Sequence, residues 1–153
     1  MYVLLVLFQT LILPVISGTI ELLVAGGDPV IMYGRWFLFW GVGARLLIAG
    51  FSQAVRPGFT IQNILGASNP GANQIARELG FANISLGVGG LLGFFVPGWS
   101  IPVAIIGGLF LGIAGFAHIA KKHPNVKEIV ATWTDLLIFV TMTIFVIWSL
   151  THP

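Results

Sequence analysis

Residues 77–95, RELGFANISLGVGGLLGFF, and residues 101–120, IPVAIIGGLFLGIAGFAHIA, decide how this chain is read. Each is about 20 residues long and mostly apolar, enough for a helix to cross the hydrocarbon core of a bilayer. The link between them, Val96-Pro97-Gly98-Trp99-Ser100, is too short for anything but an antiparallel turn. In the first stretch Ser85, Gly89 and Gly93 recur every four residues, and in the second Ala104, Gly108 and Gly112 do the same. Small residues at i, i+4 and i+8 lie in one stripe, and two such stripes let helix backbones approach closely. The pattern predicts a helical hairpin stacked glycine to glycine.

Composition extends that reading to the whole chain. Of the 153 residues, 57% are hydrophobic and 8% charged, and the mean hydropathy is +0.99. A soluble domain carries about 25% charged residues, so lipid rather than water must face most of this surface. No polar block is long enough for a second domain, and residues 1–153 read as one integral membrane domain. The expected fold is all-α, a polytopic transmembrane helix bundle. The formal charge is +2, but the seven basic residues are scattered without an aromatic–basic stripe, which argues against nucleic acid. The absence of cysteine excludes disulfides, thiolate metal sites and covalent c-type haem attachment.

Five stretches qualify as spans, near 3–24, 32–52, 77–96, 101–120 and 128–150. The count falls to four if the first is not a full crossing. That first stretch lacks a basic leading region and reads as a retained helix rather than a signal peptide. It contains Pro14, which neighbouring helices can absorb in a membrane. The long connection, about 53–69, alternates Phe59, Ile61, Ile64 and Leu65 with Thr60, Gln62 and Asn63, which fits an interfacial or re-entrant segment. Asn69-Pro70 reads as an N-cap followed by proline at the first helical position. With five spans, Arg56, Arg77, Lys121, Lys122 and Lys127 fall on one side and Arg35 on the other. The positive-inside rule then puts the N-terminus in the cytoplasm and the C-terminus outside, across a bacterial inner membrane.

Charges inside spans are costly and mark candidate sites. Arg45 and Asp135 each lie about seven residues from the ends of their spans, roughly 10 Å deep at 1.5 Å per residue. Glu78 and His118 fall at matching ends of the hairpin, with Asn83 deeper. Arg45, Glu78, Asn83, His118 and Asp135 are therefore expected to converge as a binding or proton-relay cluster, His118 being able to change charge near neutral pH. The same groups also serve a structural reading, in which an acid neutralises Arg45 and fixes helix register. Glu21 and Arg35 are expected to pair at the opposite face. No catalytic residue is predicted, because no Walker loop, GxSxG elbow or HExxH helix occurs. No metal site is predicted either: His118 and His123 are five apart, and His152 lies across the membrane.

The run Arg77-Glu78-Leu79-Gly80-Phe81-Ala82-Asn83, with the later Gly115-Phe116-Ala117-His118, resembles a family of small bacterial multi-pass membrane proteins of no established activity. That family carries an R-E-x-G-F-A-N stretch and a later G-x-x-H, and the resemblance implies roles of unknown kind for Glu78, Asn83 and His118. In helix count and size the chain also resembles, more loosely, DoxX-type membrane proteins, some of which are tied to quinone-linked sulfur oxidation.

Three functions follow as expectations. The first is a non-enzymatic binding or accessory subunit, with the bilayer and either its own copies or a larger membrane complex as partners and no cofactor. The second is a proton-coupled transporter of small solutes using the Arg/Glu/His/Asp cluster. The third is a redox component associated with quinone or haem.

Overall fold

In the computed structural model, residues 2–64, 71–120 and 122–152 are described. Five helices are long and apolar enough to cross a membrane: α1 Val3–Ala25, α2 Pro29–Val55, α3 Ala72–Phe95, α4 Ser100–Ile119 and α5 Val126–Thr151. The described residues contain no strand. Most spans run a few residues beyond their expected limits, so Arg45 lies ten residues before Val55 and Asp135 nine after Val126. Both are therefore roughly 15 Å from the helix ends, deeper than the expected 10 Å.

The helices alternate in direction and are joined by turns with identifiable chemistry. Between α1 and α2, Gly26 and Gly27 have φ of 67° and 114°, and the Asp28 side chain then caps α2 by accepting from the Ile31 N–H at 3.0 Å. Pro29 follows in the first turn, where its missing N–H costs nothing. Between α3 and α4, Gly98 turns the chain at φ 82°. α5 starts with a capping box: Asn125 accepts from the Lys127 and Glu128 N–H groups, and the Glu128 carboxylate accepts from the Asn125 N–H. The long connection forms a short helix, Pro57–Phe59, that runs on as a π-helical turn, Thr60–Ile64. The Asn69-Pro70 cap expected for α3 lies outside the described residues.

Two further π-helical turns interrupt spans. In α1 the turn Phe8–Ile12 precedes Pro14, and the Leu13 N–H donates to Phe8 O, five residues back. Proline cannot donate, and widening the turn before it re-registers the backbone without breaking the helix. In α2 the turn Leu38–Ala44 contains Gly41 and Gly43 and ends directly before Arg45.

α2 is the central helix. Its Phe37, Leu38, Val42 and Leu46 form the core with Ala104 and Leu111 of α4 and Ile138, Met142 and Phe145 of α5. Large apolar residues also cover the outside, Ile113 and Trp133 among them. In water that surface would be unfavourable; in lipid it costs nothing.

The glycine-to-glycine interface falls elsewhere than expected. Ser85 is exposed and its hydroxyl donates to Phe81 O in its own helix. A Cβ on Gly89 would meet only Val103, at an ordinary 3.7 Å, while Gly93 packs on Leu38 and Val103 side chains. The close approach is between α2 and α3 instead: a Cβ on Gly87 would lie 2.5 Å from Leu47 N, one on Gly90 2.5 Å from Gly43 N, and one on Gly50 2.7 Å from Gly80 O. The physical reason is helical pitch. Four-residue steps advance about 400° on a helix of 3.6 residues per turn, so a strict i, i+4, i+8 stripe drifts around the cylinder. The buried residues of α3, Ala76, Gly80, Asn83, Gly87, Gly90 and Gly93, are spaced by fours and threes and stay on one face. In α4, Gly108 and Gly112 accept the Met142 and Phe139 side chains of α5, so that stripe receives knobs rather than backbone.

Candidate functional site

The polar centre is built where α2 and α5 cross. The π-helical turn with its two glycines sets the rotation of α2 just before Arg45. Gly115 of α4, whose Cβ would lie 3.3 Å from Asp135 Cβ, leaves room for the carboxylate side of α5. Arg45 Nη2 forms an ion pair with Asp135 Oδ1 and donates to Thr134 Oγ1 at 3.1 Å. The Thr134 hydroxyl itself donates to Val130 O at 2.7 Å, so it is oriented to present its lone pair to the guanidinium. Both charged side chains are buried, 10% and 7% exposed. A bare cation at this depth would be prohibitive, and the pair makes the site neutral.

Of the five residues expected to converge, the structure brings Arg45 and Asp135 together. Glu78 is exposed on α3 and accepts from Gln74 Nε2 at 3.1 Å, one turn away. Its place in the first two turns of α3 puts it toward water, where a carboxylate needs no intramembrane partner. Asn83 is buried but turns to α2, donating to Gln53 Oε1 at 2.7 Å. His118 is half-buried one turn beyond Gly115, within electrostatic range of Asp135, and its ring makes no hydrogen bond or ion pair among the described residues. Among the described residues, two buried polar side-chain atoms have no hydrogen-bond partner: Arg45 Nη1 and Asn83 Oδ1.

Glu21 and Arg35 meet near the other end of the bundle, at 3.7 Å. Trp36 Nε1 donates to Glu21 Oε2 at 2.5 Å, and Arg35 also donates to Phe94 O at 3.3 Å and lies 4.8 Å above the Phe94 ring. Here the pair belongs to an aromatic belt with Tyr33, bonded to Thr19, while Trp40 donates to Ser17 deeper in the bundle. Trp148 at the end of α5 donates to Asp28 Oδ2 at 2.8 Å. The Ile31 N–H and then the Trp148 indole hold the Asp28 carboxyl below the usual carboxylate range.

Glu128 escaped the sequence reading. It is 1% exposed, one heptad before Asp135 and on the same face of α5. Its signal was present as Asn125-x-x-Glu128 before an apolar run, the pattern of a capping box. Gln53, as the partner of Asn83, had no comparable signal.

Two recesses open on the outside of the α4–α5 pair. One, about 170 Å³, lies among Ala104, Gly108, Phe139, Met142 and Val146. The other, about 160 Å³, is lined by His118, Ile119, Ile129, Thr132, Trp133 and Leu136, with Pro124. Neither touches Arg45 or Asp135. Among the described residues no group of three His, Cys, Asp or Glu side chains is placed to hold a metal ion.

No curated protein and no solved structure matches the chain. A family model does, over residues 3–153, and on that match the chain belongs to DUF6790, a family of unknown function.

Proposed function

We propose that this protein is a non-enzymatic binding or accessory subunit of a membrane assembly, with its basic end in the cytoplasm of a bacterial cell. The observation that carries this reading is how its intramembrane charges are used. Arg45 and Asp135 neutralise each other inside the bundle, Glu21 and Arg35 pair near its end, and the two recesses lie away from the buried pair. A transport site needs charge reachable from water; here the deep charges serve helix register. Native mass spectrometry in a mild detergent tests it. The expected result is one dominant partner or a defined oligomer, and a lone monomer overturns it.

Orientation has its own test. The chain contains no cysteine, so single cysteines at Lys122 and Thr151 can be labelled without background. A membrane-impermeant maleimide applied to intact cells should modify position 151 and spare position 122.

One observation favours the transporter reading: the unpartnered Arg45 Nη1 and Asn83 Oδ1 leave capacity for water inside the bundle. That reading requires proton flux in proteoliposomes that is lost in Asp135→Asn.

A further inference from the structure

We infer that the recess between the end of α4 and the start of α5 is a binding site for an anionic phospholipid. Its walls and its mouth have opposite chemistry. Ile119, Ile129, Trp133 and Leu136 make an apolar wall, with Ile119 and Trp133 strongly exposed on the outside of the bundle. His118 lines the same recess near its upper rim, half-buried, with no hydrogen bond or ion pair among the described residues to occupy its ring. Thr132, the other polar group in the lining, already donates its hydroxyl to Glu128 O at 2.8 Å. His118 and Thr132 are thus the polar groups of an otherwise apolar lining, and the His118 ring makes no hydrogen bond there among the described residues.

Lys122 and His123 lead directly into Pro124, which lines the recess. Lys122 and His123 stand exposed in the turn that closes α4 onto α5. Lys127, in the first turn of α5, lies on the opposite side of that helix from the lining Ile129, Thr132, Trp133 and Leu136, with its Nζ 5.7 Å above the Phe59 ring. Arg56 and Arg77 are exposed at this end of the bundle. At the opposite end the acidic Glu21 and Asp28 accompany Arg35. A phosphodiester at the rim would meet His118 and Lys122, while an acyl chain runs down Ile129, Trp133 and Leu136. Basic pockets between spans recognise anionic headgroups in this way. A neutral zwitterionic lipid matches the wall but gains little at the rim.

The test uses the full chain in mixed micelles, with phosphatidylglycerol or phosphatidylcholine added, and native mass spectrometry of the retained adducts. The wild type should retain phosphatidylglycerol more strongly than phosphatidylcholine. Lys122→Gln should lower phosphatidylglycerol retention about fivefold, the effect of one surface cation, and leave phosphatidylcholine unchanged. His118→Ala should lower it further, and Arg35→Gln, at the far end, should leave both unchanged. Equal retention of the two lipids by the wild type overturns the assignment, as does phosphatidylglycerol retention unaltered in Lys122→Gln. Lys122 is exposed in a turn, so that variant decides the matter even where His118→Ala fails to fold.

Discussion

Arg45–Asp135 and Arg35–Glu21 have the same chemistry at two depths. The first is sealed between α2 and α5, with the Thr134 hydroxyl accepting a further hydrogen bond from Arg45. The second lies where the bundle meets the boundary, its side chains 36% and 25% exposed, and is shared with Trp36, Phe94 and a backbone carbonyl. Depth changes what each partner is for. Within the hydrocarbon region, removing one charge strands the other with nothing to solvate it. Near the boundary, water and the aromatic belt take over that duty. Arg45 and Asp135 thus act as a condition for folding the bundle in one register, and Arg35 and Glu21 as a modest anchor.

The largest expected effect breaks the deep pair from one side. Arg45→Leu should lower unfolding stability in mixed micelles by about 3–5 kcal/mol, the range found when a buried pair loses one partner. The double variant Arg45→Leu/Asp135→Leu should recover most of it, because an apolar pair of similar volume is often neutral there. Equal losses in the single and double variants would show that the pair is not coupled.

Next comes the packing that holds Arg45 in place. Gly90→Ala pushes a methyl group against Gly43 of α2, two residues before Arg45, whereas Gly89→Ala meets only Val103 at an ordinary distance. The first should cost about 1–3 kcal/mol, the range for overpacking a close contact, and the second should be nearly silent. Thermal denaturation of the two variants side by side checks this, and the reverse order would return the tight interface to α3 and α4.

These glycines also show what the sequence could and could not reveal. Five spans, the hairpin turn at Gly98, the need for Asp135 or Glu78 to neutralise Arg45, and the pairing of Glu21 with Arg35 were legible, because hydropathy, breakers and the cost of buried charge each act locally or leave few choices of partner. Which helix sits at the centre was not. Periodicity says that α3 has a glycine face; it does not say whether α2 or α4 meets it, and chain adjacency pointed to α4. The position of Glu78 went astray for a related reason. It was expected near the boundary, on a helix starting near residue 70, but its side chain lies exposed against Gln74 instead of turning to Arg45. Asn83 was placed at the correct depth but on a face turned to Gln53 rather than to Arg45. Depth is a one-dimensional property and can be counted along a chain; azimuth depends on neighbours that only packing selects.

At the boundary the effects should be smaller. Glu21→Gln keeps an oxygen for the Trp36 indole and removes the charge facing Arg35, so the loss should be about 0.2–1 kcal/mol. It should shrink further as salt is raised, since partly exposed charges are screened. A loss as large as that of Arg45→Leu would mean that depth is not what separates the two pairs.

The smallest effect lies outside the spans, at Asp28, a carboxylate held chiefly by N–H donors, with a smaller contribution from His152. The Ile31 amide and the Trp148 indole favour its charged form, so its folded pKa lies below the ordinary value of 3.8. A depressed carboxylate pKa adds stability that is fully present above the unfolded value and disappears as pH falls through the folded one. Acidification below about pH 4 should therefore loosen the α1–α2 turn from the end of α5 before it disturbs the bundle. Tryptophan emission followed from pH 6 to pH 2 should show a step in the wild type. Asp28→Asn should remove that step, because asparagine still caps the helix but does not titrate in this range. A step of equal size in Asp28→Asn would assign it to another carboxylate and leave the turn held by capping geometry rather than by charge.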